Sequence, residues 1–322
     1  MTSNQNRLRK IQEQQLKHFD LAAAKTAYQA GQNVTEFLRN QKGVMHNTPE
    51  IIETAYDLQA GTYIAGTKRN IKRASAYSEE LATLLCPHVT NTTSLLDIGC
   101  GELTTTSLIL QRLKVKPESL FAFDISYSRV FLGCTFAHEV LSEDDRNRLI
   151  PFVADINEIP LRDKSIDVTT SSHALEPNTN NLTSLLLELF RVTKGKLVLF
   201  EPCYEINTQA GKSRMDKLGY IKNIDETVSK LGGKLLDKVR IKNISNPLNP
   251  TVCFIIEPPR VTNFDYKTEN LDCQFSVPGT NLPISRTDGY FVSKETGLFF
   301  PILRDIPILK SNTAILASVL SM

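Results

Sequence analysis

One segment constrains the fold of this chain more than any other. Leu95-Leu96-Asp97-Ile98 runs into Gly99-Cys100-Gly101-Glu102, and Leu103-Thr104-Thr105-Thr106 follows. A short apolar strand that ends in two glycines and opens a helix starts a strand–turn–helix unit. Glycine lets the backbone turn tightly there and leaves no Cβ between the loop and a ligand. The texture repeats downstream. Apolar runs at 120–123, 149–153, 166–170 and 196–200 alternate with segments long enough for crossover helices. Such alternation predicts a parallel sheet with helices on both faces. Two further runs, 235–241 and 252–256, are joined by the short link Asn246-Pro247-Leu248-Asn249-Pro250. A link that short suits an antiparallel hairpin. The expected fold is α/β, with five parallel strands plus a terminal hairpin, seven strands in all.

The flanks read differently. Residues 1–90 are rich in Gln, Lys, Ala, Leu and Glu and read as a helical cap or lid, broken at Gly31, Gly43 and Gly61. Thr48-Pro49-Glu50 has the form of a helix start. Glu257-Pro258-Pro259-Arg260 marks a boundary. Beyond it, 261–322 reads as a small β-rich module with strands at Tyr290-Phe291-Val292 and Leu298-Phe299-Phe300. The sheet domain is therefore expected over 91–260.

Composition excludes several classes. The formal charge over 322 residues is +2, so no strong global field draws the chain to nucleic acid or an anionic membrane. No apolar run reaches the roughly 18–20 residues of a spanning helix. The opening MTSNQNRLRKIQEQQLKHF has no apolar core, so a cytoplasmic location is expected rather than secretion. No two of the six cysteines lie closer than fourteen residues apart, and the five histidines are scattered. This spacing offers no metal motif and no dense disulfide framework.

The glycine loop carries acids on both sides, Asp97 and Glu102, and Thr104 stands where a third glycine of a dinucleotide fingerprint would be. These carboxylates would repel a pyrophosphate and attract a ligand bearing an ammonium and a sulfonium. S-adenosylmethionine carries both. Asp124, which ends the second strand 25 residues past Gly99, can accept both ribose hydroxyls. Asp155 follows the third strand, where it can accept from an adenine amino group while Ile156 covers the ring. Ser171 and its neighbours through Glu176 follow the fourth strand and would face the reacting centre. Each acid taken singly could be a helix cap or a solvated turn; four at successive strand ends point to a site.

Leu95–Glu102, Phe123-Asp124, Ala154–Pro160 and Asp167–Glu176 together resemble the successive motifs of the class I S-adenosylmethionine-dependent methyltransferases. The resemblance spans about residues 50–257. It implies a Rossmann-like sheet, with Asp97, Gly99 and Gly101 holding the methionine moiety, Asp124 the ribose, and Asp155 and Ile156 the adenine. Tyr56–Tyr63 is similar to the tyrosine-rich entry helix of that family, which places Tyr63 at the cofactor. The tail Gly297–Leu309 resembles the end of a zinc-ribbon-like module found beside some methyltransferases. Only Cys273 stands near a ligand position, so a metal-free module held by its own apolar core is expected.

Methyl transfer from a sulfonium is an in-line displacement, and the protein mainly has to align nucleophile and methyl. A base is needed if the acceptor is a hydroxyl or a protonated amine. His173 is the first candidate, with Glu176 and Glu201 as alternatives. The long connection 203–223 reads as a lid loop over the acceptor, with Tyr204, Asn207, Arg214 and Tyr220 as its candidate contacts. Residues 191–242 hold 12 Lys/Arg against 6 Asp/Glu, which suits an anionic small molecule as acceptor. A small-molecule or glycan-precursor acceptor is the leading expectation, with O- or N-methylation. An RNA or protein methyltransferase, and a non-catalytic S-adenosylmethionine-binding protein, are the alternatives. A nicotinamide oxidoreductase fits the acids less well.

Overall fold

The structure, a computed structural model, describes residues 19–178, 181–260 and 274–321. It comprises two compact units, Met1–Ala60 and Gly61–Met322.

The first unit holds three short helices, α1 (Leu21–Gln29), α2 (Val34–Lys42) and α3 (Pro49–Leu58). Each starts at a side chain that accepts an otherwise unpaired amide: Asp20 from Ala23, Asn33 from Glu36, and Thr48 from Ile51. Pro49 at the first turn of α3 costs no hydrogen bond, since its missing N–H would have had no helical partner. Phe19, Ala24, Val34, Leu38, Ile51 and Ala55 form this unit's own apolar core.

The second unit opens with α4 (Thr62–Arg69) and α5 (Ile71–Leu85). The alternating part follows: β1 (Ser94–Ile98), α6 (Thr104–Arg112), β2 (Ser119–Asp124), α7 (Tyr127–Val140), α8 (Glu143–Arg148) and β3 (Leu149–Val153). It continues through β4 (Ile166–Ser172), α9 (Leu182–Val192), β5 (Thr193–Pro202), α10 (Gln209–Leu218), α11 (Ile224–Lys230), β6 (Lys234–Arg240) and β7 (Thr251–Glu257). The strands form one seven-stranded sheet in the order β3-β2-β1-β4-β5-β7-β6. The first five are parallel, and β7 runs antiparallel to both β5 and β6. The expected Rossmann-like sheet with its terminal hairpin is thus the observed one.

The period-two alternation of a strand buried on both faces is visible in β5. Leu197 and Leu199 enter the core that holds Leu185, Leu189 and Phe152, while Val198 and Phe200 enter the opposite core with Leu81, Leu85 and Leu110. The strand order reverses between β1 and β4. The connections leave in opposite directions there, which opens a crevice at the carboxyl ends of the strands.

The region 203–223 differs from the expected loop. Thr208 caps α10 by accepting from Gly211 N, and Gly219 ends it in the left-handed conformation, so the connection carries a helix. The C-terminal module is a small antiparallel sheet made of β8 (Ser285–Thr287), β9 (Tyr290–Val292), β10 (Leu298–Leu303), β11 (Ile306–Pro307) and β12 (Ile315–Leu316). It is not held by its own core alone. Ile308 bridges Val153 in parallel, Leu309 N donates to Val153 O at 2.8 Å, and Ser276 N donates to Pro160 O at 3.0 Å, so the module covers the β3 edge of the large sheet. Phe275 meets Phe121, Phe152 and Phe291 edge-on, with ring centroids 6.0, 5.0 and 5.5 Å apart. The sequence pattern had no means of showing that these rings share one core, because Phe275 lies more than a hundred residues from Phe121 and Phe152. Cys273 lies outside the described residues.

Phe300 is fully buried in that shared core. Phe300→Ala should cost about 3–5 kcal/mol in urea unfolding. Because the core is common, the module and the large sheet should melt in one transition; two resolved transitions would contradict the shared packing.

Candidate functional site

The site is built outward from the turn after β1. Gly99 and Gly101 adopt φ of 62° and 55°, the left-handed region where a Cβ is disfavoured. A Cβ on Gly99 would lie 2.5 Å from the Cβ of Ala174, so this turn packs directly on the segment after β4. On the other side, α7 approaches the turn through Gly133, where a Cβ would meet the Glu102 carbonyl carbon at 2.7 Å. Cys100 N donates to Phe123 O at 2.8 Å and ties the turn to the end of β2.

Asp97 and Asp124 both reach this turn and both are buried. Asp97 accepts from Thr106 Oγ1 at 2.5 Å, across the first turn of α6. Burial pushes its carboxyl up to about 7, with the Thr106 bond opposing and the nearby Asp124 charge adding. Asp124 accepts from Gly101 N at 3.0 Å and from Ser126 N at 2.9 Å. Burial raises its pKa, against the pull of the Arg129 guanidinium and these amides. Two desolvated carboxylates facing one turn form a donor set that a cationic guest relieves, and the two left-handed glycines leave the backbone bare beside them. The residues present therefore fit S-adenosylmethionine.

Arg129 escaped the sequence reading. It is buried in the first turn of α7, and its guanidinium lies 4.7 Å from the Tyr63 ring centroid. A basic residue within a polar helix start gave no signal, since only the tertiary fold turns it inward. Tyr63 sits in the first turn of α4 and is 55% exposed. Glu102 has a structural task there. Its carboxylate accepts from Gly61 N at 2.9 Å, Ile64 N at 2.8 Å and Tyr63 N at 3.4 Å, capping α4. The expectation that Glu102 faces the cofactor therefore meets a carboxylate already spent on a helix end. Asp155 Oδ1 accepts from the backbone and side-chain amides of Asn157 at 2.9 and 2.6 Å, and Ile156 packs against the core.

The segment after β4 gathers the candidate bases. His173 lies in the left-handed region, φ 61°, rare for a side chain of its size. Its Nδ1 is 2.9 Å from Glu176 Oε2 and its Nε2 is 3.0 Å from Thr251 Oγ1 at the start of β7. Burial lowers the imidazole pKa, but the Glu176 bond and the charges of Glu176 and Glu201 outweigh it and the net shift is upward. Asn249 Nδ2 donates to Glu176 Oε2 at 3.2 Å. Glu201, fully buried, accepts from Ser171 Oγ at 2.7 Å and from the amides of Ala174 and Leu175 at 3.0 and 3.1 Å. Ser171 is thereby turned to Glu201. Burial raises the Glu201 carboxyl to about 7, opposed by His173, Ser171 and the Leu175 amide. Tyr77 of α5 contacts Ser172 Oγ at 3.0 Å, another tyrosine that the sequence did not single out.

The residues of 203–223 separate into two groups. Tyr220 lies with its phenol beside Glu176 and under the Arg214 guanidinium, 5.4 Å from the ring centroid. Ile221 N donates to Glu176 O at 3.0 Å, which fixes that contact. Tyr204 instead lies between Lys212 and Lys222 and donates to Asp216 Oδ2 at 3.2 Å. Asn207 ties the loop together through Leu248 O at 3.0 Å and Met215 Sδ at 3.2 Å. Five of the twelve cations of this region are paired, Arg191 with Asp163 and Glu188 and Lys194 with Asp167 outside it, and Lys222 with Asp216, Lys230 with Glu226 and Lys238 with Asp225 inside it. Among the described residues no three His, Cys, Asp or Glu side chains gather around a point that a metal could occupy, and no helix is long and apolar enough to cross a membrane.

Comparison with known proteins agrees with this geometry. Residues 96–199 match the family described as methyltransferase domain. The solved structures with similar folds include geranyl diphosphate C-methyltransferase of Streptomyces coelicolor, in complex with Mg2+, geranyl diphosphate and S-adenosyl-L-homocysteine. It is 11% identical, with 55% of this chain and 78% of that chain covered and a TM-score of 0.44. They also include the Haloferax volcanii protein in complex with the methyltransferase activator Trm112, 13% identical, with 63% and 97% covered and a TM-score of 0.49. No curated protein matches the sequence significantly. Residues 96–199, the greater part of the large sheet, are thus a methyltransferase domain, and its cofactor is S-adenosylmethionine.

Two predictions follow from the turn. Gly99→Val should abolish S-adenosylmethionine binding in calorimetry, since it forces both a left-handed backbone and a clash with Ala174; retained micromolar affinity would refute the assignment of the loop. The second concerns pH. Asp97 and Glu201 have folded pKa values near 7, above their ordinary 3.8 and 4.5, so the native state binds more protons than the unfolded chain between these limits. Their contribution is present at low pH and lost as pH rises toward 7. The ligand-free Tm should therefore fall across this window, and Asp97→Asn should flatten the slope. An unchanged slope would show that Asp97 does not titrate there.

Proposed function

We propose that the chain transfers the methyl group of S-adenosylmethionine to an oxygen or nitrogen of a small-molecule acceptor held at the carboxyl ends of β4 and β5. The observation that carries this reading is the His173–Glu176 pair in the turn packed on Gly99. A strained left-handed residue persists only where its surroundings over-determine it. Here Thr251, Asn249 and Glu176 hold the imidazole from both ring nitrogens.

Bound at the turn, the cofactor supplies an activated methyl on a positively charged sulfur. Asp97, Gly99 and Gly101 would hold its methionine end, Asp124 the ribose, and Asp155 with Ile156 the adenine; Tyr63 would flank it. The rest falls to the acceptor side. The His173–Glu176 pair receives the proton that an acceptor hydroxyl or ammonium gives up by way of the Thr251 hydroxyl, which passes its own proton to Nε2 as it takes the acceptor's. With Thr251 on Nε2 and Glu176 on Nδ1, the imidazole keeps a fixed orientation, and the carboxylate stabilises the charge it gains. Glu201 acts from behind, holding the amides of Ala174 and Leu175 so that the turn cannot relax. Tyr220 and Arg214 border the same carboxylate and would contact the acceptor directly.

Thermal shift with S-adenosylmethionine against a nicotinamide dinucleotide tests the cofactor class: stabilisation by the first alone is expected. His173→Ala should lower kcat by about 10²-fold or more, the usual worth of a positioned base, while the cofactor Kd stays within threefold. Unchanged turnover would remove the pair from the chemistry.

A further inference from the structure

The acceptor end of the crevice contains buried polar atoms with hydrogen-bonding capacity that the protein leaves unused. Arg214 Nη1 and Asn249 Oδ1 are both out of contact with solvent and without a partner among the described residues. Leaving a buried donor or acceptor unpaired forfeits its hydration with nothing in return, and native structures rarely keep such groups without a use. The two atoms belong to one neighbourhood. Asn249 Nδ2 donates to Glu176 Oε2 at 3.2 Å. The Arg214 guanidinium lies over the Tyr220 ring, and Tyr220 adjoins Ile221, whose amide donates to Glu176 O. One orphan is a cationic donor and the other is an acceptor.

Arg214 forms no ion pair among the described residues, although the region supplies carboxylates to Lys222, Lys230 and Lys238. Its planar fork rests on an aromatic face, the arrangement in which arginine takes carboxylates and phosphates in two-pronged fashion.

We infer that the methyl acceptor is an anionic small molecule, with a carboxylate or phosphate seated on Arg214 and an O–H or N–H donor directed at Asn249 Oδ1. This assignment rests on the reading of the crevice as the acceptor site of a methyltransferase. It narrows that reading to molecules that carry both a negative group and a hydrogen-bearing nucleophile.

The test titrates inorganic phosphate and acetate, separately, into the full chain saturated with S-adenosylhomocysteine. At least one anion should bind saturably, and whichever binds more tightly identifies the group the site takes. Arg214→Gln should weaken that binding at least tenfold. Arg214→Lys, which keeps the charge and loses the fork, should weaken it by a smaller factor. Lys230→Gln removes a charge on α11 and should leave it unchanged within twofold. Equal binding by the wild type and Arg214→Gln, or no binding of either anion by the wild type, overturns the inference. Failure of the wild type to bind S-adenosylhomocysteine overturns the methyltransferase reading instead, and the anion titration without it still reports on Arg214.

Discussion

Carboxylates withdrawn from water at the ends of parallel strands organise this molecule. A buried carboxyl must find donors, lose its charge or await a cation. Each outcome is present. Glu102 finds three amides and becomes the cap of α4. Glu201 finds Ser171 and two amides and becomes the brace of the turn after β4. Asp97 and Asp124 share one glycine turn, where Asp97 accepts from Thr106 and Asp124 from the Gly101 and Ser126 amides beside Arg129. The same residue type thus serves as helix cap, as brace of a turn and as lining of the glycine turn within a short stretch of backbone.

The acceptor side follows a related logic with more varied groups. His173 is held at both ring nitrogens, so its orientation is set before any acceptor arrives. One partner, Glu176, comes from the same turn, and the others, Asn249 and Thr251, come from the β6–β7 hairpin more than seventy residues away. A hairpin that in the sequence reads only as the end of the sheet therefore also furnishes one wall of the site. The C-terminal module closes the β3 edge in a comparable way, by lending aromatic rings to the core under β2 and β3 and backbone amides to the segment after β3. An uncovered edge strand would otherwise present unpaired backbone groups.

Much of the fold was legible in advance. The seven strands fall where the apolar runs stand, and the hairpin follows from the short proline-bounded link. The glycine turn and Asp124 were legible as well, because residue type and position at a strand end suffice to mark them. The helix α10 was missed within a polar stretch whose cap, Thr208, gives a weak signal beside so much charge. Arg129 and Tyr77 were missed because a residue's inward direction depends on which helix face meets the sheet. Glu102 looked like a site acid for the opposite reason: nothing in the sequence announces that the amides of residues 61–64 arrive to occupy it.

By itself the sequence determined the class of the fold, the tight glycine turn after β1 and the acids at the strand ends. These rest on local rules: period-two burial, glycine at a tight turn, acids at strand ends. Tertiary structure alone decided that Glu102 is spent on the amides of α4, which side chains hold the His173 ring, and that the C-terminal sheet shares the main core. Those outcomes depend on contacts between residues separated by tens to more than a hundred positions, and a hydrogen bond across that gap forms only after the sheet has fixed where each strand ends.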